Sequence, residues 1–287
     1  MAESLRPTPG SAPARGSLNA VLLYALLVAI SLFFLLPLAM MVSTSLKAGT
    51  TDITDPGLIP REPSLGNFEA LFAQVGGTPV LSWVLNSFLT AAIGTVVSVT
   101  LVSLSAYAFA RMEFPGKRLI FATMIATLML PGVLFLIPQV IVVNTLGLFN
   151  SIPAFFLPGL ASVFGVFFMR QFFLGLPVEL EEAAYVDGAN RLQTFIRVIL
   201  PVSGPALATL SVISFLAFWN DYLWPLVNCQ GAGCTLQPGL QSFQDQNVTD
   251  YGLLMAGGLV AAIPVLIVFI VAQRWIVQAA TSAGIKG

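Results

Sequence analysis

The sequence contains no histidine, and only 9% of its 287 residues are charged. Without imidazole there is no histidine general base and no histidine metal ligand. Charge is too scarce to cover a water-facing surface, since a soluble domain carries about 25% charged residues. A soluble enzyme and a disordered chain are therefore excluded. A net charge of −1 offers nothing to a polyanion and excludes a nucleic-acid partner. A nucleotide-cradling Gly-x4-Gly-Lys-Ser/Thr loop is also missing: Gly116-Lys117 is followed by Arg118, and no suitable glycine precedes it. What the chain has in quantity is apolar surface, 57% hydrophobic residues with 22 Phe among them. It reads as an all-α, polytopic membrane protein.

A bilayer-crossing helix needs roughly 20 mostly apolar residues. Six stretches qualify: Ala20–Val42, Trp83–Phe109, Leu119–Val143, Ile152–Met169, Ala206–Val227 and Leu253–Ala272. The first is too long for a signal-peptide core, so it is expected to stay in the mature protein. The expected organisation is a tail over 1–19, a six-helix membrane domain over 20–277 and a second tail over 278–287.

Six spans put both termini on one side. That side would hold Arg6, Arg15, Arg111, Lys117, Arg118, Arg170, Arg191, Arg197, Arg274 and Lys286, ten of the twelve basic residues. Lys47 and Arg61 remain opposite. Because cytoplasmic connections collect Lys and Arg, both termini are predicted to be cytoplasmic. Inside then lie the turn Ala110–Arg118 and the long segment Arg170–Pro205. Outside lie Ser43–Ser82, Asn144–Ser151 and Asn228–Gly252.

The first outer loop carries Asp52, Asp55, Glu62 and Glu69 with Pro56, Pro60 and Pro63, and reads as an irregular cap with one short helix near Phe68–Ala73. Cys229 and Cys234 share the third outer loop, on the oxidising side. They can close a small disulfide or remain two unpaired small residues, and the spacing leaves both open. No further ligand types cluster there, so no metal is expected. Asn247-Val248-Thr249 matches a glycosylation sequon and carries no weight.

Proline recurs inside the spans, at Pro37, Pro131, Pro138, Pro225 and Pro264. Membrane helices tolerate it where neighbours satisfy the freed carbonyls, either as a packing kink or as a bend lining a cavity. The second span holds Asn86, Ser87, Thr90, Gly94, Thr95, Ser98, Thr100, Ser103 and Ser105. Such density permits close approach and interhelical hydrogen bonds, which places this helix in the bundle interior. Asn86 could pack or line a pathway. Asp221, beside Asn220, is the one formal charge within a span and a candidate pathway residue. It lies 15 residues beyond Ala206, about 22 Å of helix at about 1.5 Å per residue. That depth, among Trp219, Tyr222 and Trp224, suits a helix-end contact near the outer interface.

The segment about 170–205 is the informative part. Pro177 suits a first helical turn, Glu179, Glu181 and Glu182 favour the dipole of that turn, and Gly188 is a natural stop. A second short helix is expected to carry Leu192, Phe195, Ile196 and Ile199 on one face until Pro201 ends it. By pattern alone this is an amphipathic connector; its projecting first helix also suits a groove on a partner.

Glu182-Ala183-Ala184, Asp187-Gly188-Ala189, Ile199-Leu200-Pro201 and Pro205 resemble the EAA loop of ABC-importer permeases. The run Phe218-Trp219-Asn220-Asp221-Tyr222-Leu223-Trp224-Pro225-Leu226 is similar to the carbohydrate-uptake branch, the maltose/trehalose-type inner-membrane subunits. Phe114-Pro115-Gly116 after Arg111 and the ending Ala272-Gln273-Arg274-Trp275 match as well, so the resemblance runs from about residue 18 to the C-terminus. The tail Gln278–Gly284 departs from the pattern by lacking a glycine soon after the Arg-aromatic pair.

The resemblance implies a type I ABC-importer permease fold with a cytoplasmic coupling helix, in a bacterial or archaeal cytoplasmic membrane. It makes Glu182, Ala183, Ala184, Asp187 and Gly188 the residues docking on cytoplasmic ATPase subunits, with Glu181 and Pro201 supporting the loop. It further implies a second homologous permease subunit, an extracytoplasmic sugar-binding protein and contact with membrane lipid. The chain would bind no cofactor and catalyse nothing itself, ATP and Mg being used by the partner. A non-sugar solute such as glycerol phosphate is the alternative cargo.

Two other classes fare worse. An intramembrane enzyme needs a catalytic pair at depth, yet there is no His, no second intramembrane acid, and no Lys in any span. An ion-coupled secondary transporter would rest on Asp221 alone, without a visible inverted repeat.

Overall fold

The computed structural model describes residues 16–48, 57–73, 80–244 and 250–284. Most of the expected N-terminal tail, Asp52, Asp55, the Asn247 sequon and Ile285, Lys286 and Gly287 lie outside these residues. The described chain is helical, without a β-strand. In order, the helices are α1 (Gly16–Ser45), α2 (Gly66–Phe72), α3 (Val80–Arg111), α4 (Lys117–Thr127), α5 (Leu136–Thr145), α6 (Ile152–Phe156) and α7 (Val163–Leu174). There follow α8 (Glu179–Val186), α9 (Arg191–Thr194), α10 (Leu200–Val202), α11 (Gly204–Trp219), α12 (Leu223–Asn228), α13 (Leu236–Gln241) and α14 (Tyr251–Gly284). The short helix expected near Phe68–Ala73 is α2, Gly66–Phe72.

Within α1, α3 and α14, the stretches Asn19–Ser45, Val80–Arg111 and Tyr251–Gln273 are each long and apolar enough to cross a membrane. Three bent pairs bring the number to as many as six spans: Lys117–Thr127 with Gly132–Thr145 at 101°, Ile152–Leu160 with Val163–Leu174 at 50°, and Arg191–Val202 with Gly204–Trp219 at 82°. The first break falls at Pro131, extended at ψ 126°, after which a single 3₁₀ turn restarts the helix. A proline has no N–H for the ladder, so the chain can leave the helix there. The second break is restarted by Ser162, whose Oγ accepts from Gly165 N at 3.1 Å as an N-cap. Pro37 and Pro264, by contrast, sit inside helices that continue unbroken.

The expected stretches Leu119–Val143 and Ile152–Met169 are thus bent pairs, and the expected fifth stretch needs correcting as well. The stretch Ala206–Val227 is not a continuous helix: α11 ends at Trp219, and Asn220 and Asp221 lie in the break before α12. Trp219 and Trp224 explain the break. Their indole N–H groups reach in different directions, to Ala261 O at 3.0 Å and to Ala154 O at 2.8 Å, and both rings are buried.

The helix at the centre is α3. Its apolar window is 44% buried, against 0% for α1 and 11% for α14. Its inward face carries Ser87, Thr90, Ala91, Gly94, Thr95 and Ser98, small enough for neighbours to come close. Against this face the Phe218 ring of α11 enters between two glycines: a Cβ on Gly94 would stand 3.0 Å from it and one on Gly159 2.7 Å. Two apolar cores flank this waist. One holds Trp83, Phe215, Trp219, Leu236 and Leu240. The other, at the end carrying α8, holds Val102, Ala106, Tyr107, Met169, Phe173, Phe195 and Ile199.

Gly159→Ala should therefore overpack the waist and cost about 1–3 kcal/mol. Gly132→Ala, with nothing within 4 Å of the added Cβ, should stay within about 0.5 kcal/mol. Unfolding in mixed detergent micelles measures both, and equal effects would contradict the packing described.

Candidate functional site

The segment from Glu179 to Val202 begins with three carboxylates in the first turn of α8, where they complement the helix dipole. The end of α8 is a Schellman turn: Gly188 N donates to Tyr185 O at 3.0 Å and Ala189 N to Ala184 O at 2.9 Å. This requires the left-handed φ of +81° at Gly188, a conformation that resists any Cβ. Two residues later Asn190 opens α9 with a reciprocal capping box, Gln193 N to Asn190 Oδ1 and Asn190 N to Gln193 Oε1, each 2.9 Å. A helix stop and a helix start thus fall within three residues, and α8 projects as a separate rod.

Beyond α9 the chain widens into a π-helical turn, Phe195–Ile199. It ends two residues before Pro201, which cannot donate to the ladder. Two expectations change here. Phe195 and Ile199 are buried, whereas Leu192 and Ile196 are 58% and 52% exposed, so the four apolar residues do not share one face. Nor does Pro201 end the helix: α10 runs through it to Val202, and the break comes at Ser203, whose Oγ donates to Ile199 O at 2.7 Å.

What fastens this segment to the bundle is a buried ion pair. Arg111, the last residue of α3, places Nε 2.8 Å from Glu181 Oε1, with the two side chains only 12% and 9% exposed. Tyr107 OH, one turn back on α3, donates to Glu181 Oε2 at 3.1 Å. Arg111 Nη2 donates to Leu176 O at 2.6 Å, just after α7. The Tyr107 ring also packs against Phe173 of α7 and Phe195 of the π turn, at 6.1 and 4.9 Å between centroids. One end of α3 therefore holds α7, α8 and the π turn together.

With Glu181 turned inward, its neighbours face out. Glu182, Ala183, Asp187 and Gly188 are exposed, and so is Val186, at 88%. Ala184, grouped with them by the resemblance, is buried and packs inward beside Glu181. Arg111 reads in the sequence only as a topology cation, and Tyr107 carries no signal of its own, although their i, i+4 spacing at a helix end places both on one face.

The other candidate residues lie in the part of the bundle away from this loop. Asn86 Nδ2 donates to Ala232 O and Cys234 O at 3.0 and 2.9 Å, so it packs against the loop between α12 and α13. A disulfide joins Cys229 and Cys234 there, and Trp83 Nε1 reaches Gly231 O at 2.9 Å. Asn220 is exposed at the end of α11. Asp221 Oδ1 accepts from Trp224 N at 3.4 Å. Asp221 also lines a cavity of about 350 Å³ with Gln139, Phe155, Pro158, Phe218 and Trp224, where the three broken spans meet. Among the described residues no group of His, Cys, Asp and Glu could hold a metal.

A family model described as "Binding-protein-dependent transport system inner membrane component" matches residues 100–282. The chain is 33% identical over 243 residues to an arabinooligosaccharides transport system permease protein of Halalkalibacterium halodurans, covering 84% of this chain and 85% of that protein. It is 34% identical over 260 residues to a trehalose transport system permease protein of Mycobacterium tuberculosis, covering 89% and 93%. It is 38% identical over 227 residues to an sn-glycerol-3-phosphate transport system permease protein of Pectobacterium atrosepticum, covering 77% and 81%. In fold it is similar to a chain of a bacterial ABC transporter that imports the acidic polysaccharide alginate, with a TM-score of 0.79 at 23% identity over 94% of this chain and 100% of that one.

The inward and outward carboxylates of α8 should separate cleanly by stability. Glu181→Ala leaves Arg111 buried without its partner and should cost about 3–5 kcal/mol. Glu182→Ala, on the exposed face, should cost less than about 0.5 kcal/mol. Detergent unfolding curves of the two variants measure the difference, and similar losses would overturn the orientation of α8.

Proposed function

The chain belongs to the family of binding-protein-dependent transport system inner membrane components, and from that premise we propose that it forms half of the pathway of an ATP-driven importer for a sugar or oligosaccharide. The observation that carries the reading is the α8 rod, which offers Glu182, Asp187 and Val186 outward while the buried Glu181 ties it to α3. A short exposed helix with charged and apolar side chains suits a groove on a partner. In this reading the partner is a cytoplasmic ATPase that supplies all ATP and Mg chemistry, and this chain is not an enzyme. Closure of the ATPases displaces α8, and the ion pair carries the displacement into α3 and so into the spans packed on it. Both termini face the cytoplasm, a second homologous permease completes the pathway, and a soluble binding protein delivers cargo from outside.

The sugar reading draws on the substrates named for two of the relatives, an arabinooligosaccharide and trehalose. The glycerol-3-phosphate relative supports a second reading, a phosphorylated polyol. The cavity chemistry favours the first. Asp221, Gln139 and the aromatic faces of Phe155, Phe218 and Trp224 line it, and no Lys or Arg does. A carboxylate with an amide hydrogen-bonds hydroxyls, and rings stack on a sugar's apolar faces, whereas an uncompensated carboxylate repels a phosphate.

Glu182→Lys, or a bulky residue in place of Gly188, should leave the protein inserted and abolish uptake while the ATPase keeps hydrolysing ATP. Wild-type uptake by both in reconstituted proteoliposomes would refute the docking assignment. Asp221→Asn, which keeps a side chain able to hydrogen-bond sugar hydroxyls, should keep ATP-dependent uptake; wild-type uptake that follows an ion gradient without ATP and is lost in Asp221→Asn would refute the importer reading.

A further inference from the structure

At the end of the bundle that carries α8, the starts and ends of three spans enclose a cavity of about 680 Å³. This is within the range of small-molecule clefts, roughly 300–1,000 Å³. Its walls include Phe114, Phe121, Lys117, Arg118 and Arg170. We propose that it binds the phosphate of an anionic phospholipid headgroup from the adjoining leaflet.

Arg170 is held for this purpose. Its guanidinium carbon lies 4.4 Å from the centroid of the Phe121 ring, and its Nε donates to Phe109 O at 3.1 Å. These two contacts fix the plane of the guanidinium, and the outer nitrogens make no further hydrogen bond among the described residues. Neither Arg118 nor Arg170 has an acidic partner among the described residues. Lys117 Nζ donates to Met112 O at 2.7 Å and pairs with Glu113 at 3.1 Å, and the Glu113 side chain is 91% exposed. Three cations and one acid at the cavity wall leave a net charge of +2.

Cations are common at the cytoplasmic ends of spans, but scattered surface charges do not enclose a cavity or stack on a ring. Planar guanidinium groups match phosphate oxygens in pairs, and basic pockets between membrane helices take anionic headgroups. The apolar side of the lipid is also provided for. Leu119 and Ile120, directly after Arg118 on α4, are 73% and 47% exposed, a surface continuous with the cavity along which an acyl chain can lie. A bound headgroup would bridge α7 to the start of α4, the helix leading into the 101° bend. The inference rests on residence in a membrane and not on what is transported.

The test is native mass spectrometry of the assembled transporter, offered phosphatidylglycerol or phosphatidylcholine with the same acyl chains. Phosphatidylglycerol should be retained in preference. Arg118→Gln should lower its occupancy about fivefold and Arg118→Gln with Arg170→Gln about 25-fold. Arg197→Gln, which removes a loop cation outside the cavity, should leave it unchanged. Arg118 is exposed, so its single variant stands even if the double variant fails to fold. Equal retention of the two lipids, or equal loss in Arg118→Gln and Arg197→Gln, would overturn the proposal. Millimolar inorganic phosphate that binds while phosphatidylglycerol does not would make the source a free phosphate and reject the lipid.

Discussion

A buried ion pair between Arg111 and Glu181 is the constraint on which the rest of this molecule's loop end depends. It joins residues 70 positions apart at 2.8 Å, and it is surrounded by the Tyr107 hydroxyl, the Leu176 carbonyl and the rings of Phe173 and Phe195. Burying two charges is costly, and their attraction repays it only with good geometry and additional hydrogen bonds. Here the additional hydrogen bonds are present, from Tyr107 OH to Glu181 and from Arg111 to the Leu176 carbonyl, while the 2.8 Å contact of Nε with Oε1 is a close ion pair without an aligned N–H···O bond. Such a pair contributes little net stability against an apolar substitute, yet removing either half is severe. It specifies one arrangement of α8 on α3, and that arrangement turns Glu182, Asp187 and Val186 outward.

The second requirement is a central helix able to pass on what that pair holds. Along α3 the small inward residues let α7 and α11 approach closely, and the Phe218 ring locks between Gly94 and Gly159. On one side of that waist lies the aromatic core that clamps the loop; on the other lie the cavity around Asp221 and the loop closed by Cys229 and Cys234. A chain of packed contacts therefore runs from the projecting α8 to the place where three broken spans meet. The breaks free backbone groups and create space, which membrane-embedded chain tolerates where it is enclosed by protein or lines a cavity.

Much of this was legible in the residues, for reasons that differ element by element. Apolar run length indicated membrane helices, and the small polar residues of the second span indicated an interior position, because both signals are local. Gly188 was legible as a stop, since a left-handed turn is nearly specific to glycine. The Arg111–Glu181 pair was not: two charges far apart in sequence carry no mark of their meeting, and Arg111 reads as one more topology cation. The shared face assigned to Leu192, Phe195, Ile196 and Ile199 failed because a π turn adds a residue to the repeat. The helix of the fifth stretch is shorter than its hydropathy suggests, because hydropathy is blind to a break whose cause is two indoles bonding to different helices. Ala184 looked like its alanine neighbour, and only the packing around Glu181 tells them apart.

The claim at the centre is that the pair transmits force, and an exchange of its charges tests that apart from folding. In proteoliposomes containing the complete transporter, the ATP hydrolysed per molecule imported is measured for Arg111→Glu, for Glu181→Arg and for both together. The account predicts that each single change raises this ratio several-fold and that the exchanged pair returns it toward the wild-type value. Single variants that import at the wild-type ratio would contradict it.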